Sequence, residues 1–420
     1  MATIFAEATP PGRGGVSILR ISGPQARASG EALAGSLPDA RQAYFRVLRE
    51  ADEVLDQALV LRFDAGASFT GEDVVEFQLH GAPVVVRRVK LALQRLGLRQ
   101  ADAGEFTRRA FLNGRIDLAE VEGLGDLLAA ETEAQRRQAM RAVSQELQRR
   151  VEAWRGSLIE AGSLIAVSLD FADEDVPQEV SERVPALMAD VREQILELLA
   201  DFRATERLRE GYEVALIGPV NAGKSSLLNR LAQRDIAIIS DIAGTTRDVI
   251  ELAADIDGLP VTFLDTAGLR DSEDLVEREG ISRAEQRAEK ADLRLHLSPE
   301  GKVQAGLWQD GDLQVWTKAD LDTGNGLAVS AATGAGIADL LAAIRSVLEQ
   351  RLPKTGLIAH ERQADALRLA ADALDVSGDE EPEILADQLW QANRALEKLL
   401  GRIDVEDYLG HIFANFCIGK

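Results

Sequence analysis

The chain has 420 residues, enough for two or three domains at roughly 150 residues each. Its net charge of −23 argues against a protein that grips nucleic acid mainly through its own surface, and its single cysteine excludes an internal disulfide. No basic-then-apolar leader, Arg/Ser-rich transit segment or apolar run of about 20 residues is found, so a cytosolic protein without a membrane span is expected.

Residues 1–118 mix short strands with one clear helix over 83–96, punctuated by glycine and proline as in an α+β domain. The pairs Arg108-Arg109 and Arg136-Arg137 are short and read as solvated faces. Over 118–166 the pattern turns helical: Met140, Val143, Leu147, Val151, Trp154 and Leu158 recur at three and four and predict one apolar stripe. Pro177, in an acidic stretch, is expected to break it, and a further helix is expected over 184–209.

Next comes Gly218-Pro219-Val220-Asn221-Ala222-Gly223-Lys224-Ser225, which fits G-x-x-x-x-G-K-S between an apolar strand-like run, 213–217, and a helical one beginning at Ser226. Such a loop turns backbone N–H groups toward one anion at a helix N-terminus. Lys224 would reach the β- and γ-phosphates, and the Ser225 hydroxyl would hold Mg2+. Gly244-Thr245-Thr246-Arg247-Asp248 offers a threonine for the magnesium shell. Asp265-Thr266-Ala267-Gly268 ends an apolar strand, with a carboxylate for a magnesium-bound water and a Gly268 N–H for the γ-phosphate. Thr317-Lys318-Ala319-Asp320 follows another strand, and its Asp can accept from both guanine N1–H and the exocyclic amine. Ser330-Ala331-Ala332 would supply a backbone contact near the guanine carbonyl. In this order and spacing the four motifs predict a GTPase.

Three departures stand out. Thr317 occupies a place usually held by Asn; it can still tie loops together, but with one amide fewer. Leu293-Arg294-Leu295-His296-Leu297-Ser298 alternates polar and apolar where a central strand should be uniformly apolar, so a trimmed or distorted sheet edge is expected. Leu269 stands where many GTPases carry a water-orienting Gln, so another group has to act. Asn221 could hold a monovalent cation, and Asp271, Glu273, Asp274 and Glu277 offer carboxylates on one loop. Beyond 353, helices are expected over 361–374 and 383–400.

Ala8-Thr9-Pro10-Pro11-Gly12-Arg13-Gly14-Gly15, the Asn221 loop, Asp265-Thr266-Ala267-Gly268-Leu269-Arg270 and terminal Phe416-Cys417-Ile418-Gly419-Lys420 together resemble the MnmE (TrmE) family of bacterial tRNA modification GTPases, end to end. The resemblance implies a multidomain fold: an α+β folate-binding-like and dimerising domain over 1–118, an all-α domain over 119–209 and 355–420, and an inserted α/β P-loop GTPase domain of Ras-like kind over 210–354. Implied GTP contacts are Asn221, Ala222, Gly223, Lys224, Ser225, Ser226, Ser240, Asp241, Ile242, Ala243, Gly244, Thr245, Thr246, Asp265, Thr266, Ala267, Gly268, Thr317, Lys318, Asp320, Ser330, Ala331 and Ala332.

By the same resemblance Mg2+ falls to Ser225 and Thr246, and K+ to Asn221, Ser240, Ile242 and Thr245, in place of an arginine finger. The catalytic carboxylate is implied to be Glu277, orienting water when two GTPase domains meet. A 5-formyl- or methylene-tetrahydrofolate would contact Arg20, Glu76, Arg115 and Lys420. Cys417 reads either as a small buried residue or as part of a modification site. The implied activity is potassium-stimulated GTP hydrolysis by a homodimer. With the FAD-containing MnmG protein, in a heterotetramer that holds tRNA mainly through that partner, it would serve aminomethyl or carboxymethylaminomethyl modification of wobble uridine. Alternatives are a ribosome-assembly GTPase switch and a dynamin-like assembly GTPase; the 8–15 and C-terminal motifs argue against the former.

Overall fold

The structure is a computed structural model that describes residues 2–170, 178–234, 236–238, 251–265, 286–322, 324, 326–376, 380–403 and 419. By internal contacts the chain divides into two units, Met1–Gly125 with Trp390–Lys420, and Asp126–Leu389.

In the first unit, strands β1 (Ile4–Glu7), β2 (Val16–Ser22), β3 (Tyr44–Glu50), β4 (Glu53–Phe63), β5 (Val74–His80) and β6 (Arg99–Gln100) form one sheet in the order β3-β4-β5-β2-β1-β6. Only the β1–β6 pair is parallel. Side chains alternate across the sheet. Phe5, Leu19, Ile21, Phe77 and Leu79 pack with helices α1 (Ala26–Ala34) and α2 (Pro83–Arg95). Ile4 and Ala6 instead cluster with Phe106 of α3 (Glu105–Leu112). Helix α2 meets the expectation for 83–96, started by Pro83, whose missing N–H costs nothing in a first turn. Arg109 overturns its expected solvated role. It is 4% exposed and ion-paired with Glu72 and Glu105 at 2.9 Å each, because α3 turns it inward onto Glu105 one turn back and Glu72 far upstream.

Helices α4 (Leu118–Ala129), α5 (Glu133–Val143), α6 (Glu146–Asp170) and α7 (Gln178–Glu210) follow. Leu147, Val151, Trp154 and Leu158 form a buried stripe on α6. The stripe does not extend back as expected: Gln145 takes a left-handed φ of 60°, which ends α5, and Met140 is left 44% exposed. Trp154 Nε1 donates to Gln194 Oε1 at 2.9 Å and so pins α6 to α7. Helix α7 begins earlier than expected and carries Pro185 within it, and the break expected at Pro177 lies outside the described residues. Asp201 of α7 accepts hydrogen bonds from the N–H groups of Lys354 (2.8 Å) and Thr355 (2.5 Å) and from Thr355 Oγ1 (2.9 Å).

The second unit also holds a sheet of β7 (Tyr212–Ile217), β8 (Glu251–Ile256), β9 (Leu259–Asp265), β10 (Leu293–Ser298), β11 (Leu313–Thr317) and β12 (Ala328–Val329), ordered β12-β11-β10-β7-β9-β8. All pairs are parallel except β8–β9. Helix α8 (Lys224–Ala232) and helix α9 (Ile337–Glu349) contribute Leu227, Leu231, Ile337 and Ile344 to its core. Helices α10 (Glu361–Ala373) and α11 (Pro382–Leu399) follow, as expected. No helix among the described residues is long and apolar enough to cross a membrane.

The expected edge at residues 293–298 is instead a central strand. β10 lies between β7 and β11 and is buried at every residue. Leu293, Leu295 and Leu297 face the main core, while Arg294 and His296 face the connection over 299–312, in which one 3-10 turn (Ala305–Leu307) is formed. That connection supplies the compensation a uniformly apolar strand would not need. Arg294 Nε donates to Asp312 Oδ2 at 2.9 Å, and its Nη1 donates to the Ala291 carbonyl at 3.0 Å. The Gln304 N–H donates to His296 Nδ1 at 3.2 Å, and Trp308 lies on the imidazole with ring centroids 5.0 Å apart.

Candidate nucleotide site

In an open parallel sheet, ligands bind beyond the carboxyl ends of the strands where the order reverses. Here the reversal lies at β7, whose neighbours are β9 and β10. The phosphate-type loop leaves β7 at that point, between the ends of the same two strands. Gly218 passes so close to the Leu297 carbonyl that a Cβ there would overlap it. Asn221 is exposed at the loop's crest with a left-handed φ of 63°, a conformation Asn tolerates better than most residues.

Lys224 is the first residue of α8 and is 8% exposed. Its Nζ donates to the carbonyls of Gly218 at 2.6 Å and Pro219 at 3.1 Å, so the ammonium closes the loop on itself. Burial pushes its pKa down, and the Asp265 carboxylate opposes that. Ser225 Oγ donates to Asp265 Oδ2 at 2.8 Å. A hydroxyl and a carboxylate brought together from the loop and from the end of β9 are the oxygen donors a hard cation prefers. The residues present therefore fit Mg2+.

On the far side, Thr317 ends β11 and is buried against Gly223, with Oγ1 unpartnered. The expected tie from Thr317 to a neighbouring loop is thus not made among the described residues. Lys318 is exposed with φ 59°, and the Ala319 N–H donates to the Val329 carbonyl at 3.1 Å. Ser330 Oγ donates to Asp320 Oδ1 at 2.6 Å, and this bond holds the Asp320 carboxyl below its ordinary pKa. The side-chain link between the two base-side motifs was missed in the sequence, where Ser330 was read for its backbone; a serine opposite an aspartate was the available signal. Ala222 is buried, Ser226 and Ala332 are exposed, and Ala331 is half-buried. Ser240, Asp241, Ile242, Ala243, Gly244, Thr245, Thr246, Thr266, Ala267, Gly268 and Glu277 lie outside the described residues.

In the first unit, Arg20 and Glu76 are cross-strand neighbours on β2 and β5, joined Nε to Oε1 at 2.7 Å. Arg20 Nη1 donates to the Gly419 carbonyl at 3.4 Å, and its guanidinium lies 5.8 Å from the Phe106 ring centroid. Two of the folate candidates thus meet each other and the chain's penultimate residue. Arg115 is exposed in the turn after α3, its stem packed on Gly71. Lys420 and Cys417 lie outside the described residues.

Residues 3–115 match the family described as "GTP-binding protein TrmE N-terminus", and residues 118–417 match "MnmE helical domain". The chain is 57% identical to the tRNA modification GTPase MnmE of Paracoccus denitrificans over 100% of both chains. It is 52% identical to the protein of that name from Roseobacter denitrificans, again over 100% of each. Among solved structures, Era of Aquifex aeolicus matches at 24% identity over 40% of this chain and 69% of its own, with a TM-score of 0.26, a likeness too slight to argue from. Two family matches and full-length identity above half place the chain in the MnmE family.

Proposed function

We propose that this protein hydrolyses GTP in the service of tRNA modification. The observation that carries the reading is the meeting of Ser225 Oγ with Asp265 at the sheet's reversal point, beside a lysine-capped G-x-x-x-x-G-K-S loop. Lys224 exchanges its two carbonyl partners for the β- and γ-phosphates, whose charge offsets the burial that depresses its pKa. Asp320, kept ionised by Ser330, accepts from the two N–H positions that distinguish guanine from adenine. Ser225 and Thr246 would hold Mg2+, with Asp265 on a magnesium-bound water, and the ion would supply charge neutralisation at the phosphates.

With Leu269 unable to orient water, we assign that task to Glu277. The charge an arginine finger would neutralise falls to K+ at Asn221, Ser240, Ile242 and Thr245. The GTPase body is read as an insertion, 210–354, between helical segments 119–209 and 355–420, following a folate-binding and dimerising domain, 1–118. The convergence of Arg20, Glu76 and Gly419 supports a tetrahydrofolate site there. With a net charge of −23, tRNA is held mainly by an MnmG-type flavoprotein partner of the homodimer, in the cytoplasm.

Three measurements test this reading. GTP turnover should be high in KCl and collapse in NaCl, and Glu277→Ala should abolish turnover while sparing GTP binding. Equal turnover in both salts removes the cation; unchanged turnover removes Glu277. Unmodified wobble uridine in a deletion strain, read by mass, tests the tRNA role.

A further inference from the structure

The base-reading loop raises a problem of support. Its first residue, Thr317, is 5% exposed, and its Oγ1 finds no hydrogen-bond partner among the described residues. A side-chain bond from this position would otherwise fasten the loop to the neighbouring phosphate loop at Gly223, against which Thr317 is packed. The loop nonetheless holds a left-handed residue at Lys318 and presents Asp320 at a fixed distance from Ser330. Some other contact has to fix it.

The residue immediately before it supplies that contact. Successive strand residues face opposite sides, so while Thr317 turns toward the phosphate loop, Trp316 turns away. It lies against Gly301, in the loop after β10, and against Gly324 and Gly326, in the segment before β12. A Cβ at any of the three would run into the indole ring. The backbone around the ring is fastened too. The Trp316 N–H donates to the Leu327 carbonyl at 2.8 Å, Gln314 Nε2 donates to the Gly301 carbonyl, and β10–β11 pairing ends at Ser298↔Trp316. One aromatic side chain therefore joins the loops on both sides of β11 at the point where the base-reading loop begins.

We propose that Trp316, seated in this cradle of three glycines, is a positioning residue for guanine recognition, doing by packing what residue 317 does not do by hydrogen bonding. The proposal rests on the GTP-binding reading above. Displacing the indole tilts the end of β11 and misplaces Lys318 and Asp320, so guanine-nucleotide binding weakens while the phosphate-side chemistry is untouched.

The test uses the full chain with fluorescently labelled GDP, ADP as competitor, and GTP turnover. Trp316→Leu should weaken GDP binding roughly tenfold, the worth of about one well-placed hydrogen bond, and raise KM for GTP similarly with kcat nearly unchanged. Trp316→Phe should recover most of the affinity. Thr317→Asn, which restores an amide, should rescue GDP binding in the Trp316→Leu background. Gly324→Ala, whose backbone needs no unusual φ, should reproduce the Trp316→Leu defect by crowding the ring. Should Trp316→Leu fail to fold, Gly324→Ala carries the same test, with Thr317→Asn as its rescue. GDP binding like wild type in folded Trp316→Leu or Gly324→Ala overturns the proposal, as does equal loss of kcat and affinity without rescue by Thr317→Asn. Failure of the wild-type chain to prefer GDP over ADP would instead sink the GTP-binding reading itself.

Discussion

Arg294 and Asp312 meet at 2.9 Å inside the parallel sheet, their side chains 3% and 0% exposed, joining central strand β10 to the start of β11. The pair makes a polar strand face compatible with a buried position. It also lets a loop with one 3-10 turn cover that face, where a parallel crossover usually brings a helix.

Removing one partner of a buried, hydrogen-bonded ion pair leaves an uncompensated charge and costs about 3–5 kcal/mol. Asp312→Ala should therefore destabilise the sheet-bearing unit by that order, read as a drop in urea midpoint. Replacing both residues by apolar ones should cost much less.

His296 gives a pH signature. Burial holds its pKa below the ordinary 6.5, outweighing the nearby Asp312 carboxylate. A histidine buried neutral binds its proton more readily once unfolded, so its contribution to stability is full above about pH 6.5 and is lost as pH falls through the lower folded value. Stability measured from pH 7.5 down to 5 should fall in the wild type and run flatter in His296→Gln. Parallel slopes would contradict this.

Asp265→Asn keeps an acceptor for Ser225 Oγ but removes the charge. The Mg2+ concentration giving half-maximal GTP turnover should rise about 10–100-fold, as when a metal ligand loses its supporting carboxylate. Saturating Mg2+ should recover much of the rate, and an unshifted Mg2+ titration would separate Asp265 from the metal.

Arg20→Ala breaks the pair with Glu76 and the bond to Gly419. Tetrahydrofolate binding by calorimetry should weaken roughly tenfold or more, the worth of a charge-assisted hydrogen bond, with GTP affinity unchanged. Undiminished folate binding would exclude Arg20 from that site.

Features specified by near neighbours were legible in the sequence. The phosphate loop, its flanking strand and helix, helix α2 with its leading proline, and the α6 stripe from Leu147 to Leu158 all rest on spacings of a few residues. Features settled by distant partners were not. β10 looked like an edge because Arg294 and His296 are polar, and nothing local announces that Asp312 compensates them. Arg109 looked solvated because Glu72 lies far upstream. Gln145 hid the end of α5, since a left-handed glutamine carries no compositional mark. Alternation at Thr317 and Trp316 was visible, but the glycines that receive the indole come from two separate loops.

Asp201 gives the α7 helix a mechanical role. Its carboxylate clasps the chain at Thr355 as it leaves the nucleotide-binding sheet, and α7 leads directly into β7, where the chain enters. Arg209 reinforces this from α7 by donating to the Ala359 carbonyl at 3.0 Å. The body is suspended from one rod at both entry and exit, like a pendulum on two cords. Both ends of that stretch of chain are therefore tied to the same helix, so a displacement at either one bears on α7.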